Sequence, residues 1–239
     1  MKEIKKIVTV ITVVYNDKVG LERTIQSIVS KKNDNIEYIV IDGGSTDGTV
    51  DVIKKYDNMI DKWISERDNG IYDAMNKGLK YAKGVWSIFI NVGDELYFFP
   101  DILFQENYKH YDAILCPVQT EEQIAFPRYD WQIKYRNSIP HQGLFYNISS
   151  HNYFFDINYK VFADYELNLR IFQRRLNVYV YDKIVSFHSL NGISRNKNQK
   201  KEFYRIVDKY NGFMFVVMAF CRFKILGLKR IIKRVLRTW

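Results

Sequence analysis

At 239 residues and 28.6 kDa, with 47% hydrophobic and 26% charged residues, the chain has room for one large domain with an appendage, and its composition excludes a disordered or fibrous polymer. Two distant cysteines, Cys116 and Cys221, exclude a disulfide framework or cysteine-based metal site and make a reducing cytosol the natural setting. The net charge is +9, but seven of the excess cations (Arg222, Lys224, Lys229, Arg230, Lys233, Arg234 and Arg237) crowd the C-terminal end without an acidic residue; the body is near neutral, so the charge does not argue for a nucleic-acid-binding domain.

Residues 7–14 form a β-branched run, too short to span a membrane and without a small-residue cleavage site, so it reads as the first strand. A helical pattern follows through Leu21, Ile25, Ile28 and Val29. A second strand over 36–41 ends abruptly in Asp42-Gly43-Gly44-Ser45, and that turn runs into a helix carrying Val50, Ile53 and Tyr56. After a third strand over 60–65, the positions Ile71, Ala74, Met75, Gly78, Leu79 and Ala82 recur at helical spacing and leave Tyr72, Asn76, Lys77 and Lys80 on other faces. Asp68 or Asn69 is expected to cap this helix, and Gly84 to end it in a left-handed conformation. Residues 86–90 are an apolar run suited to a strand buried on both faces, with Asp94 just past its end. Alternation of strands and helices at this spacing predicts an α/β fold with a mostly parallel, Rossmann-like sheet.

Beyond Asp94 the pattern predicts a helix over 100–108, a strand over 112–118, and an irregular aromatic region holding Pro117, Pro127 and Pro140. A helix over 163–176 opens with Asp164, a strand or hairpin arm covers 178–188, Asn191-Gly192-Ile193-Ser194 reads as a loop, and 196–210 is a charged helix. Residues 213–239 pass from an apolar run into a basic amphipathic helix. With Arg222 and Lys224 interrupting it, this segment suits an interfacial helix on anionic lipid; a helix packed on the domain with a solvated cationic face explains the same pattern.

Asp42 and Asp94 end two parallel strands, where open α/β sheets meet their ligands. One carboxylate there can accept hydrogen bonds from a ribose or base, and the other can hold a divalent cation against a diphosphate; either turn alone is also explained as a tight turn, since Gly, Asp, Asn and Ser dominate turns. A dinucleotide site fits poorly, because Asp42 places a negative charge where a glycine-rich turn would offer bare N–H groups to a pyrophosphate, and no G-K-[ST] sequence occurs.

Four motifs lie between Val8 and Asp94: I-T-V-V-Y-N-D, I-V-I-D-G-G-S-T-D-G-T, S-E-R-D-N-G-I-Y-D-A-M-N-K-G and F-I-N-V-G-D. Scattered matches follow: H-Q-G-L-F from His141, A-D-Y-E-L from Ala163 and N-G-I-S from Asn191. On these motifs the chain resembles the family 2 inverting glycosyltransferases of the GT-A fold, found in bacterial polysaccharide and O-antigen assembly. The resemblance implies that Thr12, Val14 and Tyr15 lie along the nucleotide, that Asp42 bonds its base, and that Arg67 and Asp68 stand near nucleotide and donor sugar. Gly93-Asp94 matches the end of the family's acidic metal motif, which commonly has Asp where Gly93 stands, so Asp94 becomes the main protein ligand of Mn2+ or Mg2+. Asp164 matches the catalytic base, although Ala163 replaces the usual Glu; an Asp at a helix start is also an ordinary N-cap. His141, Gln142 and Glu166 fall near the donor or acceptor sugar, and His188 approaches the metal; either histidine could equally be structural.

The implied organisation is a GT-A domain over 1–210, with a nucleotide-sugar half over 1–98 and an acceptor half over 99–210, and a membrane-association tail over 211–239. The implied activity moves a hexose, of glucose or galactose type, from a UDP-sugar to a lipid-diphosphate-linked acceptor, at the cytoplasmic face of the inner membrane. A nucleotidyltransferase and a non-catalytic sugar-nucleotide or membrane-binding module are the alternatives.

Overall fold

The computed structural model describes residues 6–148, 153–189 and 199–235, with side chains as far as residue 226; the Asn191–Ser194 motif, Arg237 and the side chains of the tail's other C-terminal cations lie outside. A seven-stranded sheet forms the centre, in the order β10 (Val178–Val180), β6 (Ala113–Leu115), β9 (Leu144–Asn147), β4 (Trp86–Phe89), β1 (Val8–Val14), β2 (Ile36–Asp42), β3 (Lys62–Ser65). All strands are parallel except β9, which runs antiparallel to both β4 and β6. This one reversal matters for the site. The C-terminal ends of β1, β2 and β4 meet at one edge, and an antiparallel strand brings its N-terminal end to that same edge.

Strand β1 is buried along its whole length because both faces are covered. Its Val8, Val10 and Val14 pack with Leu21, Ile25 and Ile28 of α1 (Lys18–Val29) and Ile53 of α2 (Thr49–Lys55). Ile11 and Val13 point the other way, with Met75 of α3 (Ile71–Tyr81), Leu167 of α4 (Ala163–Gln173) and Phe203 of α5 (Lys200–Asn211). The strand period of two thus splits one apolar run between two cores.

A four-stranded sheet stands beside the first, in the order β5 (Glu95–Leu96), β11 (Ser186–His188), β7 (Val118–Thr120), β8 (Ile124–Ala125). It corrects two expectations. Residues 112–118 form no continuous strand: Pro117, which has no N–H to give a ladder, separates β6 from β7, and the two belong to different sheets. Likewise 178–188 is no hairpin arm, since β10 joins the main sheet and β11 the small one. The helix expected over 100–108 is instead two 3-10 turns, Asp101–Phe104 and Glu106–Tyr108, separated by the extended Gln105.

The ends of α3 also differ from expectation. Its cap residue is Gly70 with φ 115°, a conformation that Asp68 and Asn69 need not adopt, and Asp73 reaches back to accept the Asn69 N–H at 3.0 Å. Gly84 is not left-handed; a Cβ there would stand 2.6 Å from the Thr9 nitrogen, so the glycine serves close packing on β1. Tyr72 is buried and Asn76 half-buried, not solvent-facing: Asn76 exchanges two hydrogen bonds of 2.9 Å with the Phe155 backbone.

Helix α6 (Phe213–Val235) packs on the domain through Phe215, Val216, Ala219 and Phe223. Its opposite face leaves Phe213, Met214, Val217, Phe220 and Ile225 exposed, so the helix carries two apolar faces and only one is covered. No helix among the described residues is long and apolar enough to cross a membrane.

Candidate active site

Two loops meet at the ends of β1 and β2. Asp42 is fully buried; its Oδ2 accepts the Gly44 and Ser45 N–H groups at 3.1 and 3.0 Å and the Ser65 hydroxyl at 2.6 Å, while among the described residues Oδ1 takes only the Ser45 hydroxyl. Oδ1 therefore keeps acceptor capacity for one further N–H donor. The Asp68 carboxylate lies against Gly43, where a Cβ would stand 2.5 Å from Oδ2 and 3.3 Å from the Tyr15 ring. Arg67 backs Gly44, and its carbonyl accepts from Lys77 at 3.1 Å. Tyr15, 65% exposed, thus offers an open ring beside Asp42, Arg67 and Asp68, a face on which a base can stack.

The second group forms where β4 ends. Asp94 is only 3% exposed. Its Oδ2 accepts from Gln142 Nε2 at 3.0 Å; its Oδ1 accepts the Ser189 N–H at 2.9 Å and lies 2.9 Å from His188 Nδ1. Gln142 comes from the His141–Gly143 turn that opens β9, and His188 ends β11, so the antiparallel strand and the small sheet both deliver side chains to this turn. Gln142 Nε2 also stands 2.7 Å from His188 Nδ1. With the amide donating to both, the Nδ1 lone pair is spent on Gln142; with the proton on Nδ1 instead, His188 donates to Asp94 Oδ1 and its Nε2 lone pair is free for a cation. Asn91 Oδ1, in the same turn, is buried without a hydrogen-bond partner. Carboxylate, imidazole and amide oxygen make a donor set that suits Mn2+ or Mg2+. Among the described residues no three His, Cys, Asp or Glu side chains cluster as a closed metal cage. Substrate phosphate oxygens would have to complete the coordination.

Gly93 holds φ 88°, the left-handed region where glycine sits without strain. That turn redirects the chain so that the buried Asp94 faces Gln142 and His188 rather than continuing the strand.

The third group surrounds Asp164. It lies in the first turn of α4, whose cap position is Phe162 with no side-chain bond, so Asp164 is not the N-cap. Its Oδ1 accepts the Tyr165 N–H at 2.7 Å and the Tyr72 hydroxyl at 3.2 Å. Its Oδ2 has looser company: Asn137 Nδ2 at 3.5 Å and His141 Nδ1 at 3.6 Å. Burial, and then the Asp164 charge, push the Tyr72 phenol well above its usual pKa, so Tyr72 stays a donor. Asn91 Nδ2 lies 3.1 Å from His141 Nε2. When Asn91 donates there, the His141 proton is on Nδ1, facing Asp164. Asp164 and the Asp94 turn are therefore joined through His141 and Asn91.

The sequence profile of Glycosyl transferase family 2 matches residues 9–224, which spans all three groups. The chain belongs to glycosyl transferase family 2. The PGL/p-HBAD biosynthesis glycosyltransferase of Mycobacterium bovis BCG is 25% identical over 239 residues, covering 92% of this chain and 91% of its own. Among solved structures, S. aureus TarS 1-349 in complex with UDP superposes with a TM-score of 0.67 at 18% identity, over 85% of this chain and 65% of that one. The mannosyltransferase PcManGT of Pyrobaculum calidifontis, in complex with GDP-Man and Mn2+, gives 0.55 at 17%, over 85% and 61%. At these identities the structural likeness speaks for the fold, which is GT-A.

In this family 2 glycosyltransferase two anticipated residues stand differently from the rest. Thr12 is fully buried within the sheet, its hydroxyl donating to the Ile90 carbonyl at 2.6 Å, so it supports β1 and β4 from within while Val14 and Tyr15 reach the edge. Glu166 is 2% exposed, and its oxygens are taken by Arg170 at 3.0 Å and by the Tyr210 hydroxyl. It ties α4 to α5. Conversely, Tyr72, Asn91 and Asn137 enter the site without having been anticipated. Tyr72 and Asn91 lie inside the quoted motifs, and their signal was a polar group at the edge of an apolar pattern.

Proposed function

We propose that this chain transfers a hexose from a UDP-sugar to a lipid-diphosphate-linked acceptor sugar with inversion, at the cytoplasmic face of the membrane. The observation that carries the reading is the convergence, at one sheet edge, of an exposed aromatic ring beside a buried Asp42, a buried acidic turn and a separate carboxylate. Residues 1–98 supply the ring, Asp42 and Asp94; residues 99–210 supply His141, Gln142, Asp164 and His188.

In this reading the base lies on Tyr15 and donates an N–H to Asp42 Oδ1, with Arg67 and Asp68 flanking the donor. Asp94 and His188 would hold the divalent cation, with Gln142 orienting Asp94, and a bound cation supplies charge stabilisation for the diphosphate. Asp164 Oδ2, the loosely bonded oxygen, accepts the proton of the acceptor hydroxyl as that oxygen attacks the anomeric carbon; the bond from that carbon to the UDP oxygen breaks on the opposite face. Single displacement inverts the centre and needs no covalent intermediate. Tyr72 and the Tyr165 N–H fix Oδ1 so that Oδ2 keeps its direction. The uncovered apolar face of α6, followed by the cations of the tail, supports peripheral attachment to an anionic leaflet.

A panel of UDP-, GDP- and dTDP-hexoses against a synthetic lipid-diphosphate acceptor with Mn2+ tests this. UDP release that depends on the acceptor supports it. Pyrophosphate release would identify a nucleotidyltransferase, and binding without turnover a non-catalytic module.

A further inference from the structure

A cavity lies away from the three groups, at the C-terminal end of α4. Its volume is about 650 Å³, the size of a ligand site. Tyr129, Trp131, Phe172 and Phe215 line it, together with Lys134 and Arg175. Nine residues of α4 follow Asp164, which puts the cavity about 14 Å from it along the helix axis. Because α4 leads into the start of β10, the cavity opens at the sheet edge opposite Asp94. It belongs to neither donor nor acceptor groups.

Two features define what it would hold. No carboxylate lines it, and Lys134 and Arg175 form no ion pair among the described residues. Lys134 Nζ stands 5.3 Å from the centroid of the Phe215 ring, so a cation is poised over an aromatic wall. The wall is also continuous with exposed apolar surface: Trp131 is 53% exposed, and Phe215 belongs to the first turn of α6, next to the 74% exposed Phe213. Two cations in a lining that holds no carboxylate, with Asp112 behind Tyr129, above an apolar aromatic trough that opens beside an uncovered apolar helix face, complement an anionic headgroup attached to a hydrocarbon chain.

We propose that this groove seats one anionic membrane phospholipid, with its phosphate on Lys134 and Arg175 and the first part of its acyl chain between Trp131, Phe172 and Phe215. The proposal deepens the membrane attachment above and rests on it. The tail then serves as one of two contacts, and the catalytic domain docks through a lipid site of its own. That orients the Asp164 edge relative to the bilayer instead of leaving the domain tethered.

The full chain is mixed with vesicles of phosphatidylcholine alone, or with phosphatidylglycerol, carrying brominated acyl chains that quench tryptophan. The wild type should bind the anionic vesicles, and Trp131→Phe should remove a distinct part of the quenching. Lys134→Gln with Arg175→Gln should weaken partitioning about 30-fold and leave Trp131 unquenched, with UDP release in solution unchanged. Equal partitioning of this double variant, or undiminished quenching in Trp131→Phe, overturns the groove while leaving tail attachment intact. Trp131→Phe keeps the proposal testable should the double variant fold poorly. Displacement by millimolar inorganic phosphate would reassign the groove to a soluble anion, and no binding by the wild type to anionic vesicles would overturn both the groove and the tail reading.

Discussion

Tyr72→Phe keeps the ring in its packing against Phe155 and removes one hydroxyl. That hydroxyl shares a single proton between the Val161 carbonyl at 2.6 Å and Asp164 Oδ1 at 3.2 Å, the shorter bond taking the larger share. The substitution leaves a part-buried carbonyl unpaired and should cost about 2 kcal/mol of stability. For a chain of this size that lowers Tm by about 4–8 °C. Asp164 keeps the Tyr165 N–H but loses its second firm contact, so Oδ2 wanders and kcat should fall about tenfold. Removing the base itself should cost about 10²- to 10⁴-fold. The KM for donor should not change, because the hydrogen bonds of Tyr72 among the described residues go to Val161 and Asp164 and not to Tyr15, Asp42 or Asp68. Thermal melting followed by circular dichroism, with initial rates of UDP release, reads both effects. A variant with wild-type Tm and wild-type kcat would refute the role assigned to Tyr72, and a thousandfold loss of kcat at native Tm would show that its hydroxyl does chemistry rather than positioning.

Asp94→Ala removes the carboxylate shared by Gln142, His188 and Ser189; Mn2+ activation should disappear and transfer should fall about 10²-fold or more, whereas an unaltered metal titration would place the cation elsewhere. Gly78→Ala would put a Cβ 2.5 Å from Ile11 Cγ2, and overpacking should outweigh the gain in helix propensity by up to about 2 kcal/mol; a raised Tm would contradict the close seating of α3 on β1. Burial holds Tyr38, Tyr72, Tyr146 and Tyr165 above the ordinary value of 10.0. Their contribution to stability is complete below that pH and is lost as pH rises past it, since the unfolded chain ionises first. The corresponding tyrosinate absorbance should therefore appear together with loss of circular dichroism, and its appearance in the folded chain would contradict this.

The first ninety residues were legible because their signals are local. Apolar runs of strand length, a Gly-rich turn after Asp42 and helical spacing between Ile71 and Ala82 need no partner to be read. What escaped depends on distant chain. Tyr72 and Asn76 sit at polar positions on α3, and only the Val161 and Phe155 backbones, some eighty to ninety residues away, turn that face inward. Pro117 marks a break between β6 and β7, yet nothing local says that the pieces join different sheets. Nor does the sequence show that β9 runs backwards, the reversal that brings His141 and Gln142 to the edge where Asp94 waits. Glu166 shares the first turn of α4 with Asp164, and it is the partners Arg170 and Tyr210 that take it out of the site.

In the proposed reaction Asp164 is the base, acting across from the Tyr15 and Asp94 groups. Its most direct test compares wild type and Asp164→Asn for UDP-sugar affinity by calorimetry and for acceptor-dependent UDP release. The variant should bind the donor with unchanged Kd and release UDP at least about 10²-fold more slowly. Transfer at the wild-type rate by Asp164→Asn would contradict the account.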